Sequence, residues 1–329
     1  MTDLASKKVL EGIQNLVKDD LTATNKLILE QLDSDIDIIQ KIANHIIQSG
    51  GKRLRPLLVL LSANYFGATA VAKHELATII EFVHTATLLH DDVVDNSLLR
   101  RGQETANQIW GNQISVLVGD FLYSRAFQLL TRHNNPAVLK VLAQTTNLIA
   151  EGEISQLVNR HDPDITESTY LEVIRRKTAC LFGAAAETGA LLGQCTPQQR
   201  QAMFNYGLNL GIAFQIIDDL LDYTALKTET GKNRGDDLSE GRATLPLIYT
   251  LQHCSAVAAD KIRKAVSEGD SSQLELVLDL MQSTQAEKYT FKVACTYAEQ
   301  ARSALSYLPN SPYQEALNQL ILFIIERNY

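Results

Sequence analysis

Helical periodicity is the feature of this sequence that most restricts its fold. Nearly every segment repeats its apolar residues every three or four positions, as one face of a helix does, and no segment alternates convincingly as a strand would. The seven prolines stand where helices can start or where connections can run. The sequence therefore predicts an all-α fold, a single large helical bundle whose functional groups project inward from facing helices.

The predicted helices follow one another with short connections. They span residues 4–18, 22–48, 56–66, 72–95, 112–132, 136–160, 166–192, 197–223, 243–253, 256–267, 271–283, 285–307 and 312–326, and the helix over 166–192 is expected to break near Thr178. The chain has 329 residues, of which 45% are hydrophobic, and it contains no linker rich in Pro, Gly or Ser. We therefore expect one domain over residues 1–329.

Charge and cysteine usage exclude several classes of protein. The sequence has 30 Lys and Arg against 38 Asp and Glu, a net charge of −8, which argues against a nucleic-acid partner. The four cysteines have neither metal-ligand nor disulfide-framework spacing, as is typical of a reducing compartment. No signal-peptide segment and no apolar run of about 18–20 residues is present, so we expect a soluble, cytoplasmic protein.

The first acidic motif, HDDVVD at 90–95, ends an apolar run that begins at Phe82. On a helix Asp91 and Asp95 share one face, with Cβ atoms roughly 5–6 Å apart. Mutual repulsion and burial both disfavour two charged carboxylates there unless a cation lies between them. Oxygen-only ligands on an open face suit Mg²⁺, and the tandem arginines Arg100 and Arg101 suit phosphate. One such motif alone would equally fit a solvated helix end.

A second motif with the same spacing makes a surface accident improbable. The segment FQIIDDLLDY at 214–223 again sets aspartates in an apolar helix, with Gln215, Asp218 and Asp222 on one face. Two facing acidic helices would hold Mg²⁺ ions around a diphosphate.

Cationic residues before the first motif suggest a second anion site. The segment SGGKRLRP at 49–56 supplies Lys52, Arg53 and Arg55 just before a helix, although such a segment can also be an ordinary basic surface turn. His84 lies seven residues before Asp91 on the same helical face, where it can donate to a phosphate or be a satisfied core histidine.

Two later segments carry weaker signals. Glu153 and Gln156, three residues apart, are expected either to line a cavity as a polar patch or to belong to a capped turn. The glycine-rich, highly charged segment 227–246 is interpreted as a mobile lid whose Lys232 and Arg242 close over phosphates.

Five segments together resemble one known family. They are GGKRLRP, LLHDDVVDNSLLRRG, KTACLFGAAAETGA, FQIIDDLLDY and GKNRGDDLSEGRATLPL, which occur in this order between about Gly50 and Leu247. In their order and separation these segments resemble the trans-isoprenyl (polyprenyl) diphosphate synthases. The amino-acid sequence around the first acidic motif is most similar to that of long-chain members. The resemblance implies a bundle of the isoprenoid synthase type with a central cavity.

The resemblance also implies an activity. The expected reaction condenses isopentenyl diphosphate with an allylic diphosphate, farnesyl diphosphate being the expected primer, to give an all-trans chain of about eight isoprene units for quinone side chains. The implied cofactor is Mg²⁺, three ions being expected with the allylic diphosphate bound. A homodimer is implied, and only transient membrane contact is expected, for product release.

Residue roles follow from the resemblance position by position. Metal binding is implied for Asp91, Asp95, Asp218 and Asp222, and catalysis for Asp91, Asp95, Lys177 and Asp218. The allylic diphosphate would be held by Arg100, Lys177, Thr178, Gln215, Lys232 and Arg242, and isopentenyl diphosphate by Lys52, Arg55, His84 and Arg101. Arg242 departs from the lysine usual in the family, which keeps the charge but changes its shape.

Chain length is predicted from the helix that carries Asp91. In shorter-chain relatives a bulky aromatic residue four or five positions before this aspartate closes the tunnel, whereas Thr87 and Ala86 are small here. We expect Ala86, Thr87 and Val83 to line the tunnel, with its floor deeper, at Phe82, Tyr123 or Phe127. Alternatively, Ala86 is small only because two helices pack there.

Three other functions fit parts of the pattern. A terpene cyclase shares the bundle and one acidic motif but has no use for a second diphosphate site. A shorter-chain synthase, making farnesyl or geranylgeranyl diphosphate, differs only in tunnel depth. A non-catalytic synthase subunit commonly lacks acidic motifs, whereas both are complete here.

Overall fold

The helical periodicity of the sequence is realised along almost the whole chain. The computed structural model describes residues 3–48, 51–224 and 234–326, and their helices confirm the all-α prediction. The helices before the second acidic motif are α1 (Asp3–Leu16), α2 (Lys18–Gln31), α3 (Asp37–Gln48), α4 (Leu54–Tyr65), α5 (Ala70–Val94), α6 (Ala106–Trp110), α7 (Asn112–Leu130), α8 (Pro136–Val158), α9 (Glu167–Ile174) and α10 (Cys180–Leu191). The remaining helices are α11 (Pro197–Thr224), α12 (Asp236–Ser239), α13 (Leu245–His253), α14 (Ala256–Glu268), α15 (Leu274–Thr284), α16 (Ala286–Leu305) and α17 (Pro312–Glu326), with a 3₁₀ turn at Ser271–Gln273.

The expectation that the chain has no strand is wrong at one place. Directly after the first acidic motif, β1 (Leu99–Arg100) pairs antiparallel with β2 (Gln103–Glu104). The connecting residues Arg101 and Gly102 have φ values of 53° and 75°, the left-handed geometry of a tight hairpin. Strands of two residues are too short to show an alternating pattern, so periodicity could not reveal them.

The predicted helix over 22–48 is also wrong, because it is two helices. The chain leaves helical geometry after Gln31 and re-enters it at Asp37. In between, the Ser34 hydroxyl accepts a hydrogen bond from the backbone N–H of Ile36 at 3.3 Å, and Asp33 accepts one from Gln40 at 2.8 Å. Short polar side chains compete in this way with helical hydrogen bonds, and they end a helix that apolar spacing alone would continue.

The predicted break near Thr178 is confirmed as a π-helical turn, Arg175–Ala179, between α9 and α10. Two glycines allow helices to pack against this turn on both sides. A Cβ on Gly152 of α8 would lie 2.6 Å from the backbone nitrogen of Lys177, and one on Gly211 of α11 would lie 2.7 Å from the Cα of Ala179. The turn is therefore held between two helices, and one of them carries the second acidic motif.

The helix α11 joins the two halves of the hydrophobic core. Its first half packs against α10, in the part of the core that also contains Phe82 of α5 and Tyr206 of α11 itself. Its second half packs with α9, α13 and α16, in the part of the core that contains Tyr223. Within the described part of the chain, no helix has both the length and the apolar character needed to cross a membrane.

Candidate active site

Both acidic motifs face one cavity of about 750 Å³ between α5, α8, α9 and α11. The cavity is lined by thirteen of the predicted site residues, namely Arg55, His84, Thr87, Asp91, Asp95, Arg100, Arg101, Lys177, Thr178, Gln215, Asp218, Asp222 and Arg242. The cavity lining does not include Lys52, Val83 or Ala86. Lys232, predicted to bind the allylic diphosphate, lies outside the described residues.

The aspartates of the first motif are held by arginines from three parts of the chain. Asp95 pairs with Arg160, which follows α8, and lies 4.0 Å from Arg242. The buried Asp92 accepts hydrogen bonds from Nε and Nη2 of Arg100, at 2.9 and 2.7 Å. Burial raises the pKa of Asp92 and the Arg100 charge opposes that rise. Arg100 thus anchors the hairpin to α5, while its part in phosphate binding stays a prediction.

A chain of hydrogen bonds fixes the second motif. Thr178 donates to Gln215 at 3.0 Å, Gln215 donates to Asp219 at 2.8 Å, and the Tyr170 hydroxyl donates to the other oxygen of Asp219 at 2.6 Å. Burial, with the negative charge of Asp237 nearby, raises the pKa of Asp219 to about 8. The Gln215 amide is therefore orientated by Thr178 at its oxygen and by Asp219 at its nitrogen. Asp219 also links α11 to Tyr170 of α9.

The part of the predicted lid that the structure describes is bound to the end of α11. The Asp222 carboxylate accepts from the backbone N–H of Asp237 at 3.1 Å, at the start of α12, and its carbonyl accepts from the N–H of Gly235 at 2.9 Å. Arg242 turns into the cavity, where it pairs with Glu240 and lies 3.6 Å from Asp237. In this arrangement Arg242 neutralises acidic side chains at the cavity wall.

Lys177 lies in the π-helical turn and reaches across to α8. Its ammonium donates to Glu153 at 2.6 Å and to Gln156 at 2.7 Å, and it lies 3.5 Å from Asp91. Burial raises the pKa of Glu153 to about 7, against the opposing effect of the Lys177 charge. Glu153 and Gln156 therefore line the cavity as a polar patch, as one of the two interpretations of their spacing predicted.

Arg55 of α4, His84 of α5 and Arg101 of the hairpin line the same cavity as the aspartates, and we call these three residues the cationic wall. The Arg55 guanidinium donates to Nε2 of His84 at 3.1 Å and lies 4.5 Å above the Phe182 ring. Because arginine can only donate, His84 carries its proton on Nδ1. Burial and the neighbouring arginines hold the pKa of His84 well below its usual value, and burial lowers that of Arg55 to about 10. His84 is therefore neutral and orientates Arg55.

The remaining predicted residues lie beside the cavity. Lys52 Nζ lies 5.4 Å from the centre of the Phe323 ring, and its role with isopentenyl diphosphate stays a prediction. Thr87 lines the cavity and donates to the His84 carbonyl at 2.8 Å. Ala86 and Val83 are fully buried behind it. Their roles in chain length also stay predictions.

The donor set fits Mg²⁺ that arrives with a substrate. Among the residues that the structure describes, no three or more His, Cys, Asp or Glu side chains converge as a ready-made metal site. Asp91, Asp95, Asp218 and Asp222 nevertheless offer carboxylate oxygens to the same cavity from two helices. Mg²⁺ takes one or two carboxylates and completes its octahedron with water and phosphate oxygens, so separated carboxylates suit it.

Comparison with known proteins identifies the family. Residues 36–282 match the family model described as polyprenyl synthetase. The chain belongs to the polyprenyl synthetase family. It is 47% identical to the octaprenyl diphosphate synthase of Escherichia coli (strain K12), over 97% of this chain and 99% of the relative. It is 45% identical to the all-trans-nonaprenyl-diphosphate synthase of Rhodobacter capsulatus, over 94% and 96%.

Solved structures agree with this membership and establish the isoprenoid synthase fold. A polyprenyl synthase from Caulobacter crescentus CB15, complexed with calcium and isoprenyl diphosphate, matches with a TM-score of 0.93 at 42% identity, covering 97% of this chain and 98% of that one. A decaprenyl diphosphate synthase from Rhodobacter capsulatus matches with a TM-score of 0.92 at 42% identity, covering 96% and 98%. The protein is thus a prenyltransferase, a trans-polyprenyl diphosphate synthase of the long-chain kind.

Several site residues were not predicted from the sequence. They are Arg160, Tyr170, Asp219 as a buried anchor, Asp237 and Glu240. Asp237 and Glu240 lie in the segment GDDLSEG, whose acidic residues were a usable signal. Arg160 and Tyr170 carry no local signal in the sequence. Arg160 lies 65 residues from its partner Asp95, and Tyr170 lies 49 residues from its partner Asp219.

Proposed function

We propose that this enzyme condenses isopentenyl diphosphate with an allylic diphosphate, farnesyl diphosphate serving as primer, to make all-trans octaprenyl diphosphate for quinone side chains. The observation that carries the proposal is that two acidic motifs and a cationic wall face the same cavity. Identity to octaprenyl diphosphate synthases supports the product length. Relatives with nonaprenyl and decaprenyl products lie at similar identity, so length requires its own argument.

The proposed allylic site lies between the acidic helices. Carboxylates of Asp91, Asp95, Asp218 and Asp222 would hold Mg²⁺, for which three ions are proposed with this substrate, and the diphosphate would be gripped by Arg100, Lys177, Thr178, Gln215, Lys232 and Arg242. Bound Mg²⁺ would stabilise the charge that develops on the leaving diphosphate. Lys177 would exchange one of its present acceptors, such as Glu153, for a phosphate oxygen.

The proposed site for isopentenyl diphosphate uses the cationic wall. Arg55, His84 and Arg101 line the cavity there, and Lys52 lies just before α4, the helix that carries Arg55. Nδ1–H of His84 is free of the Arg55 hydrogen bond, which uses Nε2, so it can donate to an anion. In this arrangement the two diphosphates would approach from opposite walls of one cavity.

The proposed reaction needs no nucleophilic side chain. The allylic C–O bond breaks, diphosphate leaves with the bonding electrons, and the double bond of isopentenyl diphosphate attacks the allylic carbon. A new C–C bond forms, and a proton leaves the adjacent carbon for the released diphosphate. The residues described here bind and orientate the two substrates, so that the reacting carbons meet away from water.

Product length is proposed to be set below Thr87. The cavity lining reaches Thr87 and Leu88, and small or medium side chains at Ala86 and Val83 follow along α5. We propose that the growing tail passes this level. A shorter product is the second candidate, because the lining stops at Thr87 and Leu88 and does not include Ala86.

A single assay tests the proposed function. The purified protein alone would be incubated with MgCl₂, isopentenyl diphosphate and farnesyl diphosphate, and the dephosphorylated products would be sized by chromatography against polyprenol standards. We expect octaprenol as the main product, and none when Mg²⁺ is chelated. Geranylgeraniol as the end product would support the second candidate, and no product at all would refute the proposal.

We also propose that the enzyme acts as a homodimer. Large apolar side chains are exposed on three adjoining elements, at Val94 of α5, Ile109 of α6 and Leu117 of α7. Exposed apolar side chains on adjoining elements fit an association surface, which would bury them. Light scattering after size exclusion should give twice the chain mass of 36.4 kDa, and a single chain mass would contradict the proposal.

A further inference from the structure

Asp95 is enclosed by positive charge from two separate segments. Arg160 donates from Nη2 to one carboxylate oxygen, and Nη2 of Arg242 lies 4.0 Å from the other. The side chains of Asp95, Arg160 and Arg242 are 11%, 17% and 21% exposed, so water screens this cluster only weakly. Both oxygens of a proposed metal ligand are thus paired with arginines.

The backbone holds these two arginines in place. His161, next to Arg160, donates its backbone N–H to the carbonyl of Gly241 at 2.8 Å, and Gly241 precedes Arg242. His161 and Gly241 have φ values of 64° and 67°, and a Cβ on Gly241 would lie 2.2 Å from Nδ1 of His161. This hydrogen bond holds the two segments together beside Asp95. The fold therefore places both arginines next to the Asp95 carboxylate.

We propose that Arg160 competes with Mg²⁺ for Asp95. When no metal is bound, its guanidinium neutralises the carboxylate, and it must move away before Asp95 can bind the ion. Arg160 would therefore raise the Mg²⁺ concentration that the protein requires and favour metal binding together with an anionic substrate. This inference rests on the proposed function, because that function makes Asp95 a metal ligand.

Removing Arg160 should make Mg²⁺ bind more tightly. A hydrogen bond between charged groups contributes at least about as much free energy as a tenfold change in a binding constant. Arg160→Gln should therefore lower the dissociation constant for Mg²⁺ about tenfold. Arg160→Lys should lower it less, because the charge remains while the forked geometry is lost.

The test titrates MgCl₂ alone into the full-length, chelator-treated protein, followed by calorimetry and by the shift in unfolding temperature. Arg176→Gln is the matched control, since it removes the same charge close to Lys177 but from a side chain that pairs with Glu151 and Glu172. We expect tighter binding in Arg160→Gln and wild-type binding in Arg176→Gln. Unchanged or weaker binding in Arg160→Gln, or equal tightening in both variants, would overturn the proposal.

A double-mutant cycle tests whether Arg160 acts through Asp95. In an Asp95→Asn background, Arg160→Gln should leave Mg²⁺ binding unchanged, because the carboxylate for which Arg160 competes is gone. The same tightening in both backgrounds would overturn the proposal. These readouts do not depend on turnover. If the assay gave no polyprenyl product while the cycle behaved as expected, the proposed function would fail, whereas the competition of Arg160 with Mg²⁺ for Asp95 would have been observed directly.

Discussion

Replacing Gly152 by alanine tests how the site is positioned. The added Cβ would lie 2.6 Å from the backbone nitrogen of Lys177, about 0.8 Å inside the 3.4 Å at which ordinary contact begins. Because the neighbouring atoms are backbone, α8 and the π-helical turn must separate by a comparable distance. Lys177 would then lose its alignment with Glu153 and Gln156, which it now reaches at 2.6 and 2.7 Å.

Two opposing effects determine the magnitude in Gly152→Ala. Alanine favours a helix over glycine by about 0.5–1 kcal/mol, whereas overpacking costs about 1–3 kcal/mol, so the expected net loss of stability is about 0–2.5 kcal/mol. A misplacement of about 1 Å in a catalytic constellation can reduce the rate about 100-fold. We therefore expect kcat to fall about 10- to 100-fold in a protein that still folds.

Steady-state turnover and urea unfolding of Gly152→Ala measure these effects. Gly12→Ala is the matched control, because this helical glycine in α1 has no atom within 4 Å of the position of a Cβ. The control should gain about 0.5–1 kcal/mol and keep its activity. Wild-type kcat in Gly152→Ala would refute the view that contact between α8 and the turn positions Lys177.

Three further predictions concern residues that line the cavity or lie next to its lining. Ala86→Phe should shorten the main product from the proposed eight isoprene units towards three or four, seen by sizing the products; a full-length product would mean that Ala86 does not line the tunnel. Arg55→Gln should raise KM for isopentenyl diphosphate far more than KM for the allylic substrate, because a lost charged contact affects mainly its own ligand; equal effects would show that the two sites are wrongly drawn. His84→Asn should reduce the loss of stability below pH 6.5 in urea unfolding, by up to about 1.4 kcal/mol per pH unit, because wild-type His84 stays neutral when folded but takes up a proton when unfolded. Parallel stability profiles of both proteins would contradict the His84 assignment.

The sequence predicted those features that repeat along a helix. Apolar spacing gave the helices, and the paired Asp-Asp-x-x-Asp motifs gave the residues that line the cavity from α5 and α11. Both are local patterns, because helical geometry fixes which residues share a face. The signal for the break near Thr178 was also local, because cationic residues there are followed directly by a run of small residues.

The errors and omissions arise where side chains act at short range or across the fold. The Ser34 hydroxyl accepts a hydrogen bond from Ile36 in the connection between α2 and α3, and β1 and β2 are too short for any periodic signal. The pairing of Arg160 with Asp95 joins residues 65 positions apart in the chain, which no local pattern encodes. Arg242 pairs with Glu240 in the structure, a contact that its sequence neighbourhood did not predict, and its part in phosphate binding stays a prediction.

The most direct test of the account is the turnover of Asp91→Asn and Asp218→Asn with Mg²⁺ and both diphosphates. Each variant should lose at least about 100-fold in kcat, because each removes a carboxylate proposed to bind the metal that stabilises the leaving group. Thermal stability without metal should change little, since in Asp91→Asn the reduced repulsion among the cavity carboxylates offsets the lost ion pair with Lys177. The exposed Asp260→Asn, outside the cavity, should keep wild-type turnover. Near-normal kcat in Asp91→Asn or Asp218→Asn would contradict the assignment of both motifs to a shared metal–diphosphate site.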